Sequence, residues 1–170
     1  LGTQAWLLGD HQAARKRFER AFRAYQDAGQ PRGAADALNN LGLVLIDLWD
    51  LDAAAKALEA AVTLFEAGGD PGGAGDAWTN LGLVYGDQGR YGEAIAAFRA
   101  GLDAFTTADD RSGRLAALHD LANLYAELGD FERAEQLYRQ ARPLAESEDE
   151  LAAADQALGA LLLAAGDVDG

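Results

Sequence analysis

Asp36, Asn40, Leu43 and Asp47 stand at i, i+4, i+7 and i+11, which puts two carboxylates, a carboxamide and one apolar side chain on a single helical face. The same set returns at Asp76, Asn80, Leu83 and Asp87, and in altered form at Ala116, Asp120, Asn123 and Glu127. Asn39, Thr79 and His119 sit at the edge of that face. A carboxamide donates and accepts hydrogen bonds, and a carboxylate accepts them and pairs with Lys or Arg. The chemistry is therefore recognition of a polypeptide: backbone held by Asn, basic side chains chosen by Asp and Glu. The competing reading is that these are exposed helix residues multiplied by duplication.

Catalytic and metal chemistry find no comparable pattern. The chain has no Cys and two His, His11 and His119, neither in a metal-binding pair such as H-E-x-x-H. The Gly68-Gly69-Asp70-Pro71-Gly72-Gly73 stretch lacks the Lys-Ser/Thr of a phosphate loop, and Gly69 and Gly73 match Gly29 and Gly33, so it reads as a connection. No enzyme activity, metal or cofactor is expected.

The elements that must carry the polar face are set by a repeat. Leu1-Gly2, Leu41-Gly42, Leu81-Gly82 and Leu121-Ala122 recur every 40 positions. With them travel three columns: Ala14, Ala54, Ala94, Ala134; Phe18, Leu58, Phe98, Tyr138; and Ala21, Ala61, Gly101, Ala141. A turn lies between pair and columns, at Leu8-Gly9-Asp10-His11, Leu48-Trp49-Asp50-Leu51, Gln88-Gly89-Arg90-Tyr91 and Leu128-Gly129-Asp130-Phe131. Each unit thus reads as a helix hairpin, whose small residues let two helices approach to about 8–10 Å. First helices are expected near 33–48, 72–88 and 111–128, and second helices near 11–29, 51–68, 91–108 and 131–146.

The segment Ala77-Trp78-Thr79-Asn80-Leu81-Gly82-Leu83-Val84-Tyr85, followed by Gly89, Tyr91, Ala94 and Phe98, resembles the tetratricopeptide repeat signature, and four units in register carry it over nearly the whole chain. The 40-residue period is similar to that of arrays in kinesin light chains, Leu-Gly-Asn-repeat adaptors and bacterial regulators, against a basic length of about 34. The extra residues fall at Tyr25 to Arg32, Phe65 to Gly72 and Phe105 to Ser112, where longer second helices and longer connections are expected to absorb them. The resemblance implies an all-α solenoid, a right-handed superhelix of stacked antiparallel hairpins. It also implies that first helices line the concave side, where Asn residues hold a bound segment. The face described above then becomes a groove with an Asn-Asn-Asp ladder, a Leu-Leu-Asn ladder and an Asp-Asp-Glu ladder. A clamp for a C-terminal carboxylate needs concave Lys or Arg, and this face has none.

Charge narrows the partner. The chain carries −14, yet residues through Arg32 hold Arg15, Lys16, Arg17, Arg20, Arg23 and Arg32 against Asp10, Glu19 and Asp27, a balance of +3 that leaves −17 for the rest. With no basic continuation in later repeats, direct nucleic-acid binding is not expected. No run reaches the ~18 apolar residues of a membrane helix, and no signal-peptide pattern appears, so a cytoplasmic protein is expected. Trp49 stands where the other turns have Gly9, Gly89 and Gly129; it either packs on Leu51 and the adjacent turn or anchors a partner. Trp6 lies on the inward side and is expected to wall off the groove or cover a preceding repeat.

The register divides the chain, read as a fragment of a longer protein, into a partial repeat at 1–32, full repeats at 33–72, 73–112 and 113–150, and a partial repeat at 151–170. At the end, Leu158-Gly159 and a corner at Gly166-Asp167-Val168 are favoured over an unbroken spacing that places Leu161-Leu162 in register, with Pro143 shortening the fourth repeat. Two functions follow. One is a non-catalytic protein-interaction scaffold within a larger bacterial regulatory protein. The other is a structural module that self-associates through terminal half-repeats with apolar Leu1, Leu158 and Leu162.

Overall fold

The computed structural model describes Thr3, Trp6 and residues 9–168, with side chains through 163; Leu1, Gly2 and Leu8 lie outside the described residues. The elements are α1 (His11–Asp27), α2 (Pro31–Asp47), α3 (Leu51–Ala67), α4 (Pro71–Asp87), α5 (Tyr91–Thr107), α6 (Arg111–Glu127), α7 (Phe131–Ala141), a 3₁₀ turn (Arg142–Leu144) and α8 (Glu148–Val168). All are helical, and consecutive helices pack as antiparallel hairpins stacked side by side. The first six are each 17 residues long and separated by three. The structure thus repeats every 20 residues, half the sequence period. Connections within and between hairpins are equally short, so the residues beyond the basic repeat lengthen both helices and not the connections.

One corner device enforces that regularity. Seven corners, up to the start of α7, each hold a residue in the left-handed region: Gly9, Gly29, Gly69, Gly89 and Gly129 at φ 65 to 77°, Trp49 at 57° and Asp109 at 53°. The residue after it closes the turn, as Gln30 N–H does on the Tyr25 carbonyl at 2.9 Å and Asp70 N–H on that of Phe65 at 2.9 Å. This is a Schellman termination, which satisfies the orphan carbonyls of the last turn. The closing residue also starts the next helix. Asp10, Asp70, Asp110 and Asp130 accept from the N–H three residues on at 2.9 to 3.2 Å, and Pro31 and Pro71 occupy the first helical position, where a missing N–H costs nothing.

Packing follows the small-residue columns. Ala14, Ala54, Ala94 and Ala134 are wholly buried. A Cβ on Gly42 would lie 2.6 Å from Leu58, and one on Gly82 would lie 2.7 Å from the Phe98 ring. Between hairpins, Gly33, Gly73 and Gly113 lie beneath the rings of Tyr25, Phe65 and Phe105, with a Cβ at 2.6, 2.4 and 2.3 Å. These glycines let the end of one hairpin close on the start of the next.

The fourth hairpin departs from the pattern. Pro143 cannot donate to a helical ladder, and α7 stops at Ala141, short of the expected 146. Arg111 ties down the following turn by donating to the carbonyls of Pro143 and Ala145 at 3.0 and 3.1 Å and pairing with Glu146. A capping box then opens α8: Glu150 N–H donates to Ser147 Oγ at 3.1 Å, and the Glu150 carboxylate accepts from Ser147 N–H at 3.3 Å. The helix continues through Gly166 and Asp167, so the expected corner there is not formed. Leu161, in step with Leu41, Leu81 and Leu121, is the buried residue, and Ala154 repeats Ala34 and Ala74. α8 thus starts close behind the early end of α7 and carries no corner of its own at Gly166-Asp167.

Candidate functional site

The polar face lies on the first helices α2, α4 and α6, and its residues fall into three neighbouring hollows. Asp36 and Asn40 line one of about 630 Å³, together with Arg17, Arg20 and Tyr25 of α1. Asn39, Leu43, Asp76, Thr79 and Asn80 line a second of about 460 Å³, floored by Phe105 and closed by Asp110, Ser112 and Gly113. Leu83, Asp87, Asp120, Asn123 and Glu127 line a third of about 270 Å³, beside Tyr91 and Phe98. Asp47 and His119 line none of the three.

The hydrogen bonds select among these side chains. Asn80 Nδ2 donates to Asn39 Oδ1 at 3.0 Å, bridging α2 and α4. The cross-helix partner is thus Asn39, while Asn40 turns back to the Asp36 carbonyl at 2.8 Å. Thr79 likewise donates to the Gly75 carbonyl of its own helix at 2.9 Å. Asn123 accepts from the Tyr138 hydroxyl at 2.5 Å, leaving its NH₂ for other contacts. Asp47 accepts from the Trp6 indole at 2.5 Å and lies 3.3 Å from His11 Nδ1. Trp6 thus occupies the carboxylate expected to choose ligands. His11, at the corner where α1 starts, faces that carboxylate.

Electrostatics in the second and third hollows is uniformly negative, for no Lys or Arg lines either. Asp76 keeps solvent contact, yet partial desolvation, followed by the charges of Asp110 and Asp70, pushes its carboxyl above the ordinary range. Burial raises Asp120 as well. His119 stacks edge-on against Tyr138 with centroids 5.7 Å apart, and burial lowers its pKa, so the imidazole is neutral at neutral pH. Such a surface offers carboxylates held at an electrostatic cost, which a cation relieves. No cluster of His, Asp and Glu among the described residues has metal-site geometry.

Asp110 and Ser112 belong to the second hollow but were not legible as site residues; Asp110 reads from sequence only as a helix cap. Equally hidden are the ties between hairpins, where Tyr85 donates to Glu59 at 2.8 Å and Arg99 to the Tyr125 hydroxyl at 3.0 Å, each 26 residues apart. Their signal is the paired Tyr85 and Tyr125, which also receive Arg90 and Arg133 over their rings at 4.2 and 5.5 Å. Trp49 does not pack on its turn: it is 70 % exposed.

Comparison with solved structures places this architecture. BtubC (BKLC) from P. vanneervenii superposes with a TM-score of 0.86 at 20 % identity, covering 98 % of this chain and 71 % of that one. A Podosopora anserina chain of nearly identical TPR-like repeats, of the kinesin light chain kind, gives 0.80 at 16 % identity, covering 98 % and 84 %. Aspartyl phosphate phosphatase F from Bacillus subtilis gives 0.87 at 15 % identity, covering 99 % of this chain but 44 % of the other. At these identities the likeness concerns the fold alone. Among curated proteins none matches the sequence. The sequence itself matches the tetratricopeptide repeat over residues 1–67 and 73–147, and on that match, with the corners and columns that explain it, the chain belongs to the tetratricopeptide repeat family.

Proposed function

We propose that this array is a non-catalytic interaction scaffold whose groove, formed by α2, α4 and α6, binds an extended or helical segment of a partner protein carrying Lys or Arg. The observation that carries the reading is the pair of adjoining acidic hollows of about 460 and 270 Å³, which together take ten of the fourteen groove residues read from the sequence. Asn80, Asn39 and the free NH₂ of Asn123 supply the backbone contacts. Asp76, Asp87, Asp120 and Glu127 supply the charge. We place the array within a larger bacterial regulatory protein in the cytoplasm, on the Ala, Gly, Arg and Asp bias of its composition and on the absence, among the described residues, of a helix able to cross a membrane.

The test is calorimetric titration of a Lys- and Arg-containing peptide library pool and of its charge-reversed counterpart, against the parent chain and against Asn80→Ala and Asp87→Lys. Basic peptides should bind, and more weakly as salt rises, since exposed charges are screened over about 8 Å at physiological ionic strength. Asn80→Ala should weaken all peptides alike, whereas Asp87→Lys should change which bind. Equal binding of both pools, unmoved by either substitution, would show the acidic face to be only a solvated surface.

A further inference from the structure

On the outer side of the solenoid, away from the groove, a hollow of about 490 Å³ opens between α1, α2 and α3, walled by Phe22, Pro31, Ala34, Leu38 and Leu64 and rimmed by Gln26. Its volume falls in the range of small-molecule and side-chain pockets. The repeat itself shows what fits there. Forty residues on, Pro71 and Ala74 stand for Pro31 and Ala34, but Leu38 is replaced by Trp78 and Gln26 by Glu66. Trp78 packs against the core and donates its indole N–H to Glu66 at 3.1 Å. The chain thus fills the later position with its own indole and leaves the earlier one open, with the Gln26 carboxamide where the acceptor stands.

An indole without a site is found on the same molecule. Trp49 is 70 % exposed and held at φ 57°, a left-handed conformation that five of the seven corners give to glycine. For an L residue that region costs about 1–2 kcal/mol. Trp49 does not reach the hollow of its own chain, because even Leu38, the wall nearest to it on α2, lies about 16 Å back along the helix. The Trp49 corner carries Asp47, Asp50 and Asp52, and the hollow is lined by no charged residue, so no carboxylate there repels that corner.

We propose that the hollow between α1, α2 and α3 is a docking site for the Trp49 indole of a second copy of this chain. This contact does not use the concave groove, so it stands apart from the peptide-binding reading. Sedimentation velocity from micromolar to millimolar concentration tests it. The parent chain should associate with increasing concentration, and N-acetyl-tryptophanamide at millimolar levels should reverse the association. Trp49→Ala should abolish it. Leu38→Trp with Gln26→Glu, which copies the later repeat and fills the hollow from within, should also abolish it while leaving Trp49 in place; Trp49→Ala, at an exposed corner, keeps the test valid if the double variant folds poorly. A parent chain that stays monomeric overturns the proposal, whether or not it binds the probe, since the occupant would not then be a second copy. Association that persists in Trp49→Ala overturns it too.

Discussion

Asn80 meets Asn39, not Asn40, so the polar ladder joins residues 41 apart in a chain that repeats every 40. The Trp6 to Asp47 bond has the same separation. From the first helix of repeat one through α4, position i therefore meets i+41 at both of these bonds. A double-mutant cycle tests this register. Asn39→Ala and Asn80→Ala should each cost about 1 kcal/mol in urea unfolding, the usual worth of a neutral hydrogen bond, and should couple by about 0.5 kcal/mol or more. Asn40→Ala and Asn80→Ala should be additive. Coupling in the second pair and not the first would contradict the displaced ladder.

The approach of α4 to α5 rests on a missing side chain. A Cβ at Gly82 would stand 2.7 Å from two atoms of the Phe98 ring, which is itself buried against the core. Gly82→Leu should overpack this hairpin and cost on the order of 1–3 kcal/mol. Gly86, one turn on, has open space at its Cβ, so Gly86→Ala should be stabilising by roughly 0.5–1 kcal/mol through helix propensity alone. Thermal unfolding of the two variants should move in opposite directions. A neutral Gly82→Leu would mean that the hairpin register is wrong.

Hairpins, columns and corners are legible in this sequence because each depends on a residue type with a narrow physical use: Ala or Gly where helices touch, Gly where φ is positive, Asp where a helix starts. Helix bounds follow to within two residues for α2 to α6. The corner expected at Gly166-Asp167 is not formed, because a Gly alone does not end a helix, and α8 runs through it. In the candidate site, the face is legible and its partners are not. Nothing in a 40-residue period announces a 41-residue bond, and the capture of Asp47 by Trp6 joins residues on different repeats.

Trp49 and Asp109 are the two corners without glycine, at φ 57° and 53°. Replacing either with Gly removes the left-handed penalty but adds freedom to the unfolded chain. Trp49→Gly should stabilise the monomer by about 1 kcal/mol, measured at a concentration low enough to exclude association. Asp109→Gly should gain less, because Asp tolerates this region better than an aromatic residue does. If Trp49→Gly instead destabilises the dilute protein, its indole makes contacts within the chain that its exposure does not reveal.

Stability should respond to pH with two opposite signs. Asp76 is raised above its ordinary value of 3.8 by desolvation and by the neighbouring Asp110 and Asp70, and Asp120 is raised by burial. The folded chain therefore binds these protons more readily than the unfolded one. Both ionised groups cost stability at neutral pH, and that cost is relieved as pH falls through their folded values. His119 is lowered from 6.5 by burial, with Tyr138 against its ring. There the unfolded chain takes the proton first, and stability is lost as pH falls below 6.5. In urea unfolding across pH 7.5 to 3, Asp76→Asn should be more stable than the parent at pH 7, with its advantage vanishing at the acid end. His119→Phe should flatten the decline that begins below pH 6.5 and leave the Asp76 effect unchanged. A basic peptide in the groove should lower the Asp76 value again, so its binding near pH 5 should release protons, visible as a binding enthalpy that depends on the ionisation enthalpy of the buffer. Proton uptake on binding would contradict pairing between the peptide and this carboxylate.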